Sequence, residues 1–282
     1  MKLFQFRAFF YEKMSNVYPD YERTGIYSIL LEKYLGISRI EAALYAHRTI
    51  DELALSQLKK AVKRLEKFEP IQYVIGEAYF KGLRLKVTAD TLIPRPETEE
   101  LVDWIIEDYK SVKQPIKAMD IGTGSGCIAL ALKKEWRESE ITAVDISEKA
   151  LEVAKYNAKS LELSIEFMQM NILDGDLQKE NLDFIVSNPP YVREIEKKEM
   201  RSNVLDYEPD LALFVANSDP LLFYRNILEV AQKTVKEEGS VYFEINESFA
   251  LETIELAKRL GWENTRLKKD IFERDRMLRC RR

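Results

Sequence analysis

The stretch IKAMDIGTGSGCIALALKKEW, residues 116–136, decides how the chain is read. Apolar residues run up to Ile121, three glycines follow at G-x-G-x-G spacing, and a helical apolar pattern begins at Cys127. A strand that enters a helix through such a loop opens a β-α-β unit. Glycine accepts left-handed backbone angles and lets a ligand come close to the chain. The spacing is tighter than the G-x-G-x-x-G of dinucleotide sites and fits a nucleoside cofactor without a pyrophosphate. It makes Asp120, Gly122, Thr123, Gly124, Ser125 and Gly126 candidate cofactor-binding residues.

Strand and helix patterns keep alternating downstream. EITAVDIS (140–147), IEFMQM (165–170), LDFIVSN (182–188) and SVYFEI (240–245) read as strands. EKALEVAKYNAKSL (148–161) and SFALETIELAKRLG (248–261) read as helices. So does DPLLFYRNILEVAQKTVKEEG (219–239), with Asp219 as N-cap and Pro220 as first helical residue. NTRLKKD and RMLRCRR close the chain as an antiparallel pair. The expected fold is α/β, an open, mostly parallel, doubly wound sheet of seven strands with an antiparallel C-terminal strand.

Upstream the pattern is different. Residues 1–70 read as four or five helices. SILLEKYLG ends at Gly36, a suitable C-cap, and Ser38 with Glu41 has capping-box spacing. Over residues 71–90 the period shortens to two, with Leu83, Leu85 and Val87 alternating with charged residues after a Lys81-Gly82 turn. That reads as a β-hairpin connector. A helix starts near Pro96 in LIPRPETEELVDWIIEDYK, and residues 91–282 are expected to form the α/β domain.

The 282 residues are 46% hydrophobic, which supplies a sizeable core, and carry a net charge of −5, which argues against a nucleic-acid backbone as main partner. Two cysteines far apart, Cys127 and Cys280, point to a reduced, cytoplasmic setting. The N-terminus has no signal-peptide pattern and no run suits a membrane span. His47 is the sole histidine and lies in a helical pattern, so neither a metal site nor a histidine triad is expected.

Asp145 ends the strand after the glycine loop, where a carboxylate can accept from both ribose hydroxyls; Ile146 follows it. Further on, DFIVSNPPYV (183–192) is a buried-strand pattern stopped by two prolines, neither of which can donate to a ladder. In an open α/β sheet, ligands sit beyond the carboxyl ends of the strands, so Asn188-Pro189-Pro190-Tyr191 should face the glycine loop. A residue before proline is held extended, which directs the Asn188 carbonyl and side chain. The Asn188 and Pro189 acceptors together can take the two N–H bonds of a planar NH2 group, and Tyr191 can stack on its flat face.

These motifs resemble those of class I S-adenosylmethionine-dependent methyltransferases that act on planar amino nitrogens. QYVIGEAYFKGLRLKV, LIPRPETEELV, DIGTGSGCIALAL, SNPPYV and YEPDLALF narrow the resemblance to the protein-(glutamine-N5) methyltransferases of peptide chain release factors. It runs from about Ile71 to Arg282; the helical front part agrees only in kind and length. The resemblance implies methyl transfer from S-adenosylmethionine, leaving S-adenosylhomocysteine, to the glutamine of a Gly-Gly-Gln motif. It implies Asn188, Pro189 and Tyr191 as catalytic, Asn188 also as cofactor-binding, and Pro190, Arg95 and Glu97 beside them as substrate-binding. After the third strand, members often carry an acid and then an aromatic; Asn171 and Ile172 stand there instead, as the residues meeting the adenine. FEINESFA also departs from the glycine-rich form common after the fifth strand. The alternatives are a DNA or RNA amino-group methyltransferase, which needs a base-flipping surface, and a non-enzymatic binding module, which needs no amide clamp.

Overall fold

The computed structural model describes residues 1–113, 115–175, 177 and 179–282. The chain divides into two compact units, Met1–Glu77 with Arg201–Tyr207, and Ala78–Met200 with Glu208–Arg282.

The first unit is helical. It contains α1 (Leu3–Met14), α2 (Asp20–Leu35), α3 (Arg39–Leu44), α4 (Glu52–Leu65) and α5 (Ile71–Ile75). Phe6, Phe10, Tyr27, Leu30, Leu58 and Leu65 are among the side chains of its core. Gly36 ends α2 in the left-handed region, and Ser38 and Glu41 make the expected reciprocal cap of α3. Ile71–Ile75 is a helix rather than the first arm of a hairpin. The Arg64 guanidinium at the end of α4 donates to the carbonyls of Tyr73 and Val74, which ties α5 to α4.

The hairpin comes later, as β1 (Glu77–Phe80) and β2 (Leu83–Lys86). Both turn residues, Lys81 and Gly82, have positive φ, the type I′ turn that matches strand twist. Phe80, Leu83 and Leu85 are buried in one cluster with Trp104 and Ile128. The hairpin therefore belongs to the core of the second unit and is not a free connector.

Then come α6 (Pro96–Tyr109), β3 (Lys117–Ile121), α7 (Cys127–Glu135), β4 (Glu140–Asp145), α8 (Glu148–Ser160), β5 (Glu166–Gln169) and β6 (Leu182–Ser187). After β6 the chain is irregular, with a two-residue strand β7 (Val192–Arg193), short helices α9 (Ser202–Leu205) and α10 (Asp210–Leu213), and β8 (Phe214–Val215) beside β7. It ends with α11 (Leu222–Thr234), β9 (Val235–Glu244), α12 (Ala250–Arg259), β10 (Asn264–Lys269) and β11 (Asp275–Arg281). Asp219 and Pro220 stand before α11 rather than capping it, because the Asp219 carboxylate takes two N–H groups of Arg225 at 2.8 and 2.9 Å.

The main sheet has the order β10-β11-β9-β6-β3-β4-β5, with β11 antiparallel to both neighbours and the other neighbouring pairs parallel. Alternation along β6 serves both faces. Phe184 and Val186 join the layer of Leu101, Trp104 and Leu132, whereas Ile185 joins that of Ile227, Ala231 and Leu256. A central parallel strand covered on both sides has no polar position to spare, hence the unbroken apolar run FIV.

Candidate active site

From β3 the chain passes to β4 and β5 on one side, and later returns to β6 on the other. That reversal of direction leaves a crevice at the carboxyl ends of β3 and β6. In the register Ile121 lies beside Ser187 and Val144, so the next residues along the three strands are Gly122, Asn188 and Asp145. Three motifs distant in sequence thus start from one edge.

The loop after β3 is held from below. Gly122 and Thr123 N–H donate to the Val144 carbonyl at 2.8 and 3.0 Å, and Gly124 N–H donates to Asp145 Oδ2 at 2.9 Å. Asp145 Oδ1 accepts from Ser147 N–H at 2.9 Å, while Ser147 Oγ caps α8. Burial raises the Asp145 pKa, and the backbone donors work against it. Gly126 has φ +83° and an added Cβ would meet Leu130 and Ala154 side-chain carbons at 3.1 and 3.2 Å. That glycine is required by the close approach of α7 and α8.

Asp120 is fully buried beneath the loop. Its Oδ2 accepts from Thr123 Oγ1 at 2.6 Å and Ala129 N–H at 3.2 Å, so it braces the loop from inside. Burial pushes its pKa to about 7. A carboxyl raised in the folded state adds stability that is complete below its unfolded value near 4 and is lost as pH rises through 7. Asp120→Asn removes that loss, so the melting temperature of the variant minus that of the parent should grow between pH 4 and pH 8. A flat difference across that range would show that the Asp120 carboxyl titrates alike in the folded and unfolded chain, so that burial does not raise its pKa.

Above the loop lies a cavity of about 310 Å³, within the usual size of small-molecule sites. Gly122, Gly124, Asp145, Ile146, Asn171, Ile172, Asn188, Pro189 and Pro190 line it. Asp120, Thr123, Ser125 and Gly126 do not, nor do Tyr191, Arg95 and Glu97. Asn171 presents its carbonyl Oδ1 to Leu173 N–H and its Nδ2 to Asp174. The lining absent from the sequence reading includes apolar residues, among them Leu92 before α6, Leu211 and Ala212 in α10, and Phe223 and Ile227 in α11, and the polar Asp90, Thr91, Ser147 and Ser187.

The NPPY segment rests on groups that sequence reasoning missed. Asn188 Nδ2 donates to Thr98 Oγ1 at 3.2 Å, Thr98 Oγ1 donates to Glu244 Oε2 at 2.6 Å, and Tyr191 OH donates to Glu244 Oε1 at 2.9 Å. Tyr191 is half-buried against the α11 side of the sheet, with its carbonyl accepting from Asn246 Nδ2. Burial and the Glu244 carboxylate hold its hydroxyl far above the usual tyrosine range. Tyr191 is thus half-buried and tied to Glu244 through its hydroxyl and to Asn246 through its carbonyl. Glu244 is buried too, which raises its pKa; the hydrogen bonds from Thr98 and Tyr191, with Arg276, oppose that, and the half-buried Glu97 adds to it. An acid at the end of the apolar run SVYFEI was the signal available in the sequence.

Arg95 Nη2 lies 2.5 Å from Glu208 Oε1, and Glu208 Oε2 accepts from Ile93 N–H at 3.1 Å. Glu208 is buried. It joins the segment before α6 to the YEPD segment, and residues of both, Leu92 and Pro209, line the cavity.

Residues 105–206 match the family model of the methyltransferase small domain, and residues 18–76 match that of the PrmC N-terminal domain. A release factor glutamine methyltransferase of Flavobacterium psychrophilum is 43% identical over 281 residues, 99% of each chain. One of Bacteroides thetaiotaomicron is 38% identical over 276 residues, 98% of each chain. The chain belongs to the release factor glutamine methyltransferase family. A solved methyltransferase from Pyrococcus furiosus, 20% identical, superposes with a TM-score of 0.51 over 71% of this chain and 88% of its own; at that identity the likeness shows the fold alone. Among the described residues, no helix is long and apolar enough to cross a membrane.

Proposed function

We propose that the chain transfers a methyl group from S-adenosylmethionine to the side-chain amide nitrogen of the glutamine in the Gly-Gly-Gln motif of peptide chain release factors. The observation that carries this reading is the strand register that starts Gly122, Asp145 and Asn188 side by side at one cavity. The donor set suits the cofactor. Each Asp145 oxygen accepts one backbone N–H and keeps a lone pair for a ribose hydroxyl. Ile146 and Ile172 offer apolar surface for a purine. Space around Gly124 is open, with nothing within 4 Å of an added Cβ. Bound S-adenosylmethionine would supply an electrophilic methyl carbon.

An amide nitrogen is a weak nucleophile because its lone pair is delocalised into the carbonyl. Asn188 Oδ1 and the Pro189 carbonyl accept its two N–H bonds, which favours a pyramidal nitrogen and aims the lone pair into the cavity. Positive charge grows on that nitrogen in the transition state, and two fixed dipoles stabilise it there. The alkylated nitrogen is acidic and releases its proton to water without a strong base. Mass spectrometry of a release factor incubated with the protein and S-adenosylmethionine should show a gain of one methyl group on the Gly-Gly-Gln glutamine. Label transferred to DNA or RNA and absent from the release factor would overturn the reading in favour of a nucleic-acid amino methyltransferase.

The clamp recognises an amide and cannot tell one glutamine from another, so selection of a folded protein calls for contacts elsewhere. The helical unit is the proposed docking surface. It exposes Ile40 and Leu44 one turn apart on α3, at 72% and 74% accessibility. Its chain also includes residues 201–207, between Tyr191 and Glu208, and Tyr207 OH donates to the Lys67 carbonyl inside it. A truncation at Pro70 would strip that segment of its partners, so point substitutions are the cleaner test. The I40D/L44D double variant should raise KM for an intact release factor about tenfold, the loss of roughly 1.4 kcal/mol of interface contact. A short Gly-Gly-Gln peptide should be modified at the parent rate. An unchanged KM for the intact factor would leave these helices a structural role only.

A further inference from the structure

We propose that Glu244 is a positioning residue that sets which way round the Asn188 carboxamide faces the cavity, and so makes the site an acceptor of N–H groups. The proposal deepens the methyltransferase reading above and rests on it. A carboxamide has two faces of similar shape and opposite polarity, one accepting and one donating. Only the accepting face suits a substrate NH2 group. Nothing in the NPPY motif itself selects it.

The selection comes from a chain of hydrogen bonds that has a single direction when Glu244 is ionised. An ionised carboxylate only accepts. At 2.6 Å, the contact between Thr98 Oγ1 and Glu244 Oε2 has the length of a hydroxyl donating to a charged oxygen. The Thr98 hydroxyl has a single hydrogen, and that contact uses it. Toward Asn188, Thr98 can then offer only a lone pair. The Asn188 group facing it must be the NH2, at 3.2 Å, and Oδ1 is left for the cavity that Asn188 lines. Tyr191 OH donates to the other Glu244 oxygen at 2.9 Å, so the same carboxylate anchors both ends of the NPPY segment.

The surroundings are built for that carboxylate. Glu244 is 1% and Thr98 2% exposed, so water cannot take the place of either partner. Thr98 is held by the first turn of α6, where its N–H donates to the Arg95 carbonyl. Arg276 donates to the Ile245 carbonyl and Tyr224 OH to the Glu244 carbonyl, which fixes the strand end carrying the acid. Exchange of Glu244 for a neutral amide adds a donor at this point. The Thr98 hydrogen is then free to turn toward Asn188, and the carboxamide can present its NH2 to the substrate.

The test compares the full-length parent with E244Q, T98V, the double variant and T98S. Each is measured for kcat and KM on a release factor, cofactor affinity by calorimetry, and melting temperature. E244Q and T98V should each lower kcat by about 10²-fold, the scale for a misaimed reacting group, with cofactor affinity unchanged. The double variant should lose no more than either alone, because both act through the same bond, and T98S should restore the parent rate. A kcat for E244Q or T98V within twofold of the parent, or a double loss equal to the product of the single ones, overturns the proposal. If E244Q fails to fold, T98V against T98S decides it. If the parent leaves the release factor unmodified, the functional reading fails by itself. The positioning claim is then judged by the Asn188 side-chain 15N–1H2 signal, which should move in T98V and stay in place in T98S; no shift in T98V would sink it.

Discussion

Asn188→Ala is expected to lower kcat for release-factor methylation by about 10²–10³-fold, the usual consequence of deleting one preorganised polar group at a reacting centre. Asn188 begins where β6 ends, beside the glycine loop, and lines the cavity. Its Nδ2 is occupied by Thr98, so in the proposed clamp the group it brings is the carbonyl oxygen that alanine lacks. The backbone should keep its course, because Pro189 still restricts the residue before it to extended angles and Ser187 Oγ still donates to the Ile121 carbonyl at 2.7 Å. S-adenosylmethionine binding should therefore survive largely intact, since Asp145 and the glycine loop are untouched. Calorimetry and single-turnover rates separate the two effects. A variant that turns over near the parent rate would remove the amide clamp from the mechanism.

Asp145→Ala should act on the opposite term. Loss of a hydrogen bond to a charged group costs about 1.5–3 kcal/mol, which is roughly a 10- to 100-fold rise in the dissociation constant for S-adenosylmethionine. The structure adds a second reason for a large effect. Asp145 Oδ2 also holds Gly124 N–H, so the alanine variant loses the ribose acceptor and the tether that sets the loop height. At saturating cofactor, kcat should fall far less than affinity, because Asn188 and Pro189 follow another strand, β6. An unchanged dissociation constant would take Asp145 out of the cofactor site, whereas a large fall in kcat at saturation would mean that the loop also governs alignment of the reacting groups.

Much of this protein could be read in one dimension. The strand patterns from residue 116 onward correspond to β3, β4, β5, β6, β9, β10 and β11, because a central strand covered on both faces must be a continuous apolar run. Punctuation was legible for the same kind of reason. Gly36, the Ser38–Glu41 pair and Lys81-Gly82 are local solutions to local backbone problems, and the structure uses each as its chemistry suggests. Where a neighbour competed for a group, the local reading failed. Asp219 gave its carboxylate to Arg225 instead of a helix end, and Ile71–Ile75 took a helical turn tied to Arg64.

The devices proposed for the site are legible residue by residue: a glycine loop, an acid one strand further on, and an acceptor pair held by prolines. Each is a short-range device whose residue types follow from backbone angles and donor counts. Which residues serve as braces was decided only by tertiary structure. Thr98 stands 90 residues from Asn188, Glu244 stands 53 from Tyr191, and Glu208 stands 113 from Arg95. Such partners leave no periodic trace, because a buried hydrogen bond constrains position in space and not separation along the chain. Asp120 shows the same division. Its place before the glycines marked it for the cofactor, but the packing of α7 puts Ala129 N–H over its carboxylate and turns it inward. The strand order, through the register of Ile121 with Ser187 and Val144, then brings the three devices to one edge, where separate motifs can act on a single amide nitrogen.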